Sequence, residues 1–596
     1  MVRFVSTRAD VAVSSSLKRL AVLMKTFHLV MIKPSHYDDD GYVIQWWRSA
    51  MPSNTLATLQ GLAADCVARQ VLGEEVEIRL LAQDETNTRV RVDKLARMIE
   101  RDGGKGLIAL VGVQTNQYPR ALDLARRFRA RGLQVCIGGF HASGCLAMLP
   151  ELTPELRETL DLGVSIFAGE AEAGRLDRVL QDAWRGEMQP IYNYMDDLPG
   201  MESAPTPFAP IERVNQTVGG QASFDAGRGC PFLCSFCTII NVQGRKSRYR
   251  NADDVERIIR DHVSQGIKRF FISDDNFARN RNWEAIYDRL IDLRERESVS
   301  FNLALQVDTM CHKIPGFIEK SARAGVKRVF IGLESINPDS LAGTRKKQNR
   351  ITEYRKNLLA WKQAKVFTIA GYILGFPNDT PESILRDIEV IKRELPVELL
   401  EFFFLTPLPG SQDHKELVER GVAMDPDLNK YDLNHAVTAH GSMSKAEWEA
   451  VYRRAWDLYY SPDHVETLMR RAIVSGFSPG KVLGSVVWFY ASIVVEGVHP
   501  LESGYGRRKY RRARRPGLPL ESPLVFYPRY VREFLSKHWF MLRLLWKFHR
   551  KRNALLADPE SRNYTDQALT PVHDDERDAF ELYRVVEERP ALRKAN

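Results

Sequence analysis

Three cysteines fall within eight residues, Cys230-Pro231-Phe232-Leu233-Cys234-Ser235-Phe236-Cys237, directly after Gly227-Arg228-Gly229. Thiolates are soft metal ligands. Three on one short loop can hold three irons of a four-iron cluster, whose usual complement is four cysteines. The fourth iron is then left without a protein ligand and can bind a small molecule. Zinc fits the pattern less well, because structural zinc takes four Cys or His ligands in paired spacings. No second C-x-x-C occurs, and the close pair His435 and His440 has no cysteine near it in sequence. A disulfide framework does not suit seven cysteines in 596 residues with no secretory signal.

The spacing C-x-x-x-C-x-x-C, with aromatic Phe236 just before the last cysteine, resembles the signature of the radical S-adenosylmethionine (SAM) enzymes. The resemblance implies that Cys230, Cys234 and Cys237 are at once metal ligands and catalytic residues around a 4Fe-4S cluster. It further implies that SAM binds the open iron through its amino and carboxylate groups. An electron from an external donor such as flavodoxin or ferredoxin then cleaves SAM to a 5′-deoxyadenosyl radical. In such an enzyme the protein positions the reactants and excludes water, and the cofactors do the difficult chemistry.

Such a loop needs a scaffold, and the chain has room for several domains: 596 residues exceed a single core. Hydrophobic residues make up 44% and charged residues 27%, an ordinary globular composition. Around and after the cysteines, apolar runs predict strands at 222–226, 269–273, 300–306, 327–332, 367–374 and 399–406. Helical periodicity lies between them at 254–263, 283–293, 317–324, 351–363 and 381–394. Six strands alternating with helices over 221–425 resemble the partial (β/α)6 TIM barrel of the same family, with chemistry at the carboxyl ends of the strands. At those ends the resemblance assigns SAM contacts to Asp275, Glu334 and Gly375, beside Phe236 on the cysteine loop.

Upstream, residues 24–190 alternate strand patterns (27–32, 76–81, 107–113, 133–139, 164–168) with helical ones. This argues a Rossmann-like doubly wound parallel sheet. After its fourth strand comes Gly138-Gly139-Phe140-His141, and after its fifth Gly169-Glu170. By itself a G-G-x-H loop is usually a tight turn. Ahead of a radical SAM core it resembles the cobalamin-binding domain of one branch of that family, which implies cobalamin contacts from Gly138, Gly139, His141, Gly169 and Glu170. The branch's common D-x-H-x-x-G lower-ligand motif is absent; His36, after the first strand, is the only substitute considered. A module that merely packs against the core is the competing view. Residues 191–220, rich in Pro and Gly, predict a linker, and 1–23 an upstream start or extension ahead of Met24.

Residues 426–596 turn helical. Ser444-Lys445-Ala446-Glu447 is a capping box ahead of Trp448, Tyr452, Ala455 and Tyr459 on one helix face. The apolar run 482–495 is too short to span a bilayer and predicts a buried helix. Seven basic residues crowd 504–515, and 530–552 mixes aromatics with Lys and Arg. A basic aromatic helix either lies on an anionic membrane through 505–552 or packs its aromatics inward and leaves its charges solvated. No nucleic-acid module is visible. The expectation is an α/β, cytoplasmic enzyme, peripheral at the inner membrane face where that segment binds. Its reaction would be radical C-methylation of a small or lipid-like substrate. Ring formation or oxidative rearrangement without methyl transfer, and a non-catalytic cobalamin- or redox-responsive protein, are the alternatives.

Overall fold

The computed structural model describes residues 24–337, 340–341 and 351–572; the expectation for 1–23 and for the end of the chain lies outside them. Two six-stranded parallel sheets face each other across the cysteine loop.

The first sheet has the spatial order Val76–Asp84, Lys25–Lys33, Gly106–Leu110, Gln134–Gly138, Ser165–Ala168, Ile191–Asn193. The chain starts in the middle, steps to one side, then returns and proceeds the other way. Between Lys25–Lys33 and Gly106–Leu110 the direction of winding reverses, and a crevice opens at the carboxyl ends of a doubly wound sheet at such a point. Both faces are covered by helices, so its strands are continuous apolar runs: Phe27, Leu29, Val30, Met31 and Ile32 are all buried. The edge strand Ile191–Asn193 lies in the stretch read as linker. Its three residues are too short to register as a hydrophobic period, and pairing with Ser165–Ala168 creates it.

The second sheet keeps sequence order: Gln221–Phe224, Arg269–Ile272, Asn302–Val307, Val326–Glu334, Phe367–Leu374, Leu399–Phe404. Its first and last strands do not pair, so it is an open barrel-like sheet with helices between successive strands. Pro381 opens the helix Pro381–Glu394 after Thr380, whose side chain accepts the Ser383 N–H. The Ser444 capping box forms as expected, and Trp448, Tyr452, Ala455 and Tyr459 are buried against the sheet. The apolar run at 482–495 is the helix Pro479–Ala491 followed by a π-turn, with Val482, Val486 and Val487 buried. No helix among the described residues is long and apolar enough to cross a membrane.

The basic stretch 504–515 is not a free cationic patch. Gly504–Arg508 forms a strand antiparallel to Gln45–Ser49. Arg507 and Lys509 pair with Asp38, Arg515 pairs with Asp427, and Arg514 reaches Glu521. Most of those acids come from the amino-terminal part of the chain or the barrel's far end, which a local count of charges cannot see.

Candidate active site

The cysteine loop is anchored at both ends before any ligand is considered. Asp274 accepts the backbone N–H groups of Ala226 and Gly227 (2.7 and 2.8 Å) and the amide of Asn280 (2.9 Å). Gly229 has φ +87°, and a Cβ there would overlap the Lys246 carbonyl, so only glycine turns the chain into the loop. Cys230 N–H then donates to the Gly244 carbonyl and Cys237 N–H to that of Cys234.

All three thiols are buried or half-buried, and none is in a disulfide. Burial pushes the Cys230 thiol up to about 11 and that of Cys237 to about 12. Thiols held neutral in this way are poor nucleophiles, and a metal that takes the proton's place turns them into ligands. Elsewhere, ligand atoms of His141, Cys145 and Glu155 lie within 4.8 Å of one another.

Two lobes that share wall residues adjoin the residues flanking these cysteines. The first, about 430 Å³, lies in the crevice of the first sheet: Gly138, Gly139, Ser143 and Gly169 form one wall, and Arg228, Ile239 and Asp275 the other. It runs back as an apolar slot between the sheet and the helix Asn54–Ala68, past Leu29, Leu59 and Leu107. The second lobe, about 750 Å³, fills the mouth of the second sheet and is lined by Phe236, Phe330, Phe403 and Glu334, with His36 and Glu502 at its polar end. Thr55, Gly112, Gln114, Phe140 and Ile239 border both.

The candidate residues divide between these lobes. Gly139 has φ +152°, and a Cβ would overlap the backbone of Val113; Gly169, at φ +100°, donates its N–H to Ser143 Oγ (3.0 Å). The loop expected after the fourth strand is instead the start of a helix, Phe140–Met148, with Gly139 just ahead of it. Asp274 and Asp275, adjacent in sequence, have parted: Asp274 faces backbone, whereas Asp275 faces the first lobe, its carboxyl raised by burial to about 7. Glu334 lines the second lobe from a left-handed backbone (φ +65°) at a break in strand register. A non-glycine residue held there is strained, and such strain collects at ligand sites. Phe236 faces the same lobe, with its ring 6.4 Å from Phe376.

Three expected residues sit in surroundings the sequence did not show. Gly375 (φ +101°) lies against the Trp448 ring, which occupies the place a Cβ would take, so its missing side chain makes room for the carboxy-terminal helix. His141 is 1% exposed and turned away from the cavity. Its Nε2 lies 2.9 Å from Glu155 and its Nδ1 3.2 Å from Thr115, which braces the helix after Gly139. His36 sits in the second lobe, 3.5 Å from Glu502, so no described residue lining the first lobe is a histidine.

Glu170 lines the first lobe but its carboxylate is already engaged. Arg248 grips it with both nitrogens (2.7 and 2.5 Å), and Arg228 Nη1 donates at 2.7 Å. The same Arg228, buried in the G-R-G ahead of the cysteines, also donates to Glu172 (2.7 Å) and Asp225 (2.6 Å). One guanidinium therefore ties the first sheet to the root of the cysteine loop. The sequence displayed Arg228 and Asp225 beside the motif, but its other two partners, Glu170 and Glu172, lie on a distant segment.

Residues 226–391 match the Radical SAM superfamily. The chain is 26% identical over 361 residues to bacteriochlorophyllide d C-8(2)-methyltransferase of Chlorobaculum tepidum, covering 57% of this chain and 74% of that one. It is 25% identical over 292 residues to the hopanoid C-2 methylase of Rhodopseudomonas palustris, covering 48% and 53%. In three dimensions it is similar to the radical S-adenosylmethionine methyltransferase TsrM of Kitasatospora setae, solved with cobalamin and a 4Fe-4S cluster bound. That alignment has a TM-score of 0.54 and 14% identity, and it covers 74% of this chain and 90% of that one. At such identity the likeness carries the fold.

Proposed function

We propose that this chain, which belongs to the radical SAM superfamily, is a cobalamin-dependent radical SAM methyltransferase that adds a methyl group to carbon of a lipid-like substrate. The observation that carries the proposal is that the two lobes share wall residues and that both are lined by residues flanking the three cysteines, Arg228 and Ile239 in the first, Phe236 and Thr238 in the second. When bound, the cluster with SAM supplies a carbon-centred radical and cobalamin supplies the methyl group, with electrons from a flavodoxin- or ferredoxin-type donor.

The chain's own part is positioning. Cys230, Cys234 and Cys237 hold the cluster, and Asp274 and Arg228 fix the loop that carries them. Glu334 and Phe236, which line the second lobe, and Asp275, which lines the first, would hold SAM beside the cluster. The strand-end glycines and the apolar slot fit a bulky macrocycle with an apolar appendage. Among the described residues, the lining that would hold it offers glycine backbone and apolar side chains and no imidazole. The phenylalanine-lined second lobe favours an apolar substrate, with His36, Asn116 and Glu502 available to a polar end. Bacteriochlorophyllide and hopanoid methylases among the relatives support the same class.

Anaerobically reconstituted protein given SAM, cobalamin, reductant and an extract of polycyclic lipids is expected to release 5′-deoxyadenosine and S-adenosylhomocysteine in equal amounts, with one lipid heavier by a methyl group. Release of 5′-deoxyadenosine without S-adenosylhomocysteine would assign a rearrangement or cyclisation instead.

A further inference from the structure

We propose that the helix Pro523–Ala557 is a membrane-docking element that lies in the surface of an anionic bilayer. The helix is anchored by one side: Phe526, Phe548 and Leu555 are buried, Lys537 pairs with Glu496, and Lys551 pairs with Glu466. The opposite side is apolar and open. Leu524, Val531, Leu535, Trp539, Leu542 and Trp546 follow one another at steps of three, four or seven residues, and each is more than half exposed. At 1.5 Å per residue this stripe is about 33 Å long. An uninterrupted exposed strip of that length marks an interaction surface.

The charges along its edge select the partner. Arg532, Arg543, Lys547 and Arg550 are exposed beside the stripe and have no carboxylate partner among the described residues. Arg543 and Arg550 instead lie over the faces of Trp539 and Trp546 (5.5 and 4.9 Å to the ring centres). Tryptophan flanked by arginine, over an aliphatic strip, is the composition of a helix at the level of lipid headgroups. A second copy of this chain is a poor occupant. Two such helices packed antiparallel would set the cationic edge against itself. In either direction the helix offers only one acid, Glu533, already engaged by Lys509. Negatively charged headgroups neutralise that edge.

The docked helix would also bring the cavity to the bilayer. Tyr530 Oη donates to the Arg507 carbonyl (3.0 Å), joining the helix to the strand pair Gln45–Ser49 and Gly504–Arg508. That pair exposes Trp47 and Tyr505, and its strands run directly into Ala50–Asn54 and out of Leu501–Ser503, which line the second lobe. A lipid-like substrate could thus enter from the membrane. Only this delivery role rests on the proposed reaction; the docking does not.

The test is sedimentation of the full chain with phosphatidylcholine vesicles, with and without phosphatidylglycerol. Binding is expected to the anionic vesicles, weakened by high salt, and reduced about tenfold or more by Leu535→Glu, Leu542→Glu or Arg543→Glu. Brominated lipid should quench Trp539 and Trp546 fluorescence. These substitutions are on the surface, so thermal melting and release of 5′-deoxyadenosine should stay at the parental level. That readout separates failure of docking from failure of the proposed reaction. Equal failure to bind both vesicle types, binding untouched by the three variants, or a dimer dissociated by Leu535→Glu without vesicle binding would each overturn the proposal.

Discussion

The two sheets present opposite kinds of rim to the same cavity. The first offers room: glycines 138, 139 and 169 and an apolar slot, with its facing carboxylates, Glu170 and Glu172, neutralised by Arg228 and Arg248. The second offers reactive groups: thiols, the raised Asp275 carboxyl and the strained Glu334. A bulky cofactor that brings its own chemistry needs space and no competing ligands, whereas a cluster and SAM need donors held at fixed points. The contrast is what a division of labour between the two cofactors requires.

The contrast depends on the joint between the sheets, so the largest effect is expected there. Replacing Arg228 with Met leaves Glu170, Glu172 and Asp225 facing one another in a buried site, at a cost of about 3–5 kcal/mol. Chemical denaturation should show this loss. An unchanged midpoint would mean that packing and the Arg248–Glu170 pair join the sheets without Arg228. Next comes Gly139→Ala, whose Cβ collides with Val113 and costs about 2–3 kcal/mol of backbone strain. The expected signature is selective, with cobalamin absorbance lost after loading while iron content is retained. Loss of both would erase the distinction between the rims.

The last effect appears only as pH is raised. Glu401, on the last strand of the second sheet, is buried with one carboxyl oxygen unpartnered among the described residues, and burial raises its pKa to about 8. A raised carboxyl binds its proton more tightly in the folded state. Its contribution is therefore complete below the unfolded value of 4.5 and is lost as pH rises through about 8. Glu401→Gln should remove that loss, with a stability advantage over the parent growing by roughly 2–4 kcal/mol between about pH 5 and pH 8. Thermal melts across that range are the check; parallel curves would place the pH dependence elsewhere.

Local pattern made much of this molecule legible. The cysteine spacing, the strand–helix alternation of both sheets and the capping box at Ser444 each involve residues a few positions apart, where periodicity and propensity act. What escaped is non-local. Arg507 meets Asp38 across 469 positions, and the strand Gln45–Ser49 exists only because Gly504–Arg508 pairs with it. Gly375 looked like space for a ligand because the sequence cannot show Trp448 arriving from a later helix. His141 looked like a cavity residue, yet the helix that begins at Phe140 turns its ring toward Glu155. The basic carboxy-terminal segment was readable as composition, but only the fold separates its paired half from its exposed one.

The most direct test is the metal itself. Iron and acid-labile sulfide should be measured on anaerobically purified protein, beside a variant with Cys230, Cys234 and Cys237 all replaced by alanine. The account requires about four of each per chain in the parent and almost none in the variant. A parent without iron, or a variant that keeps its full complement, would contradict it.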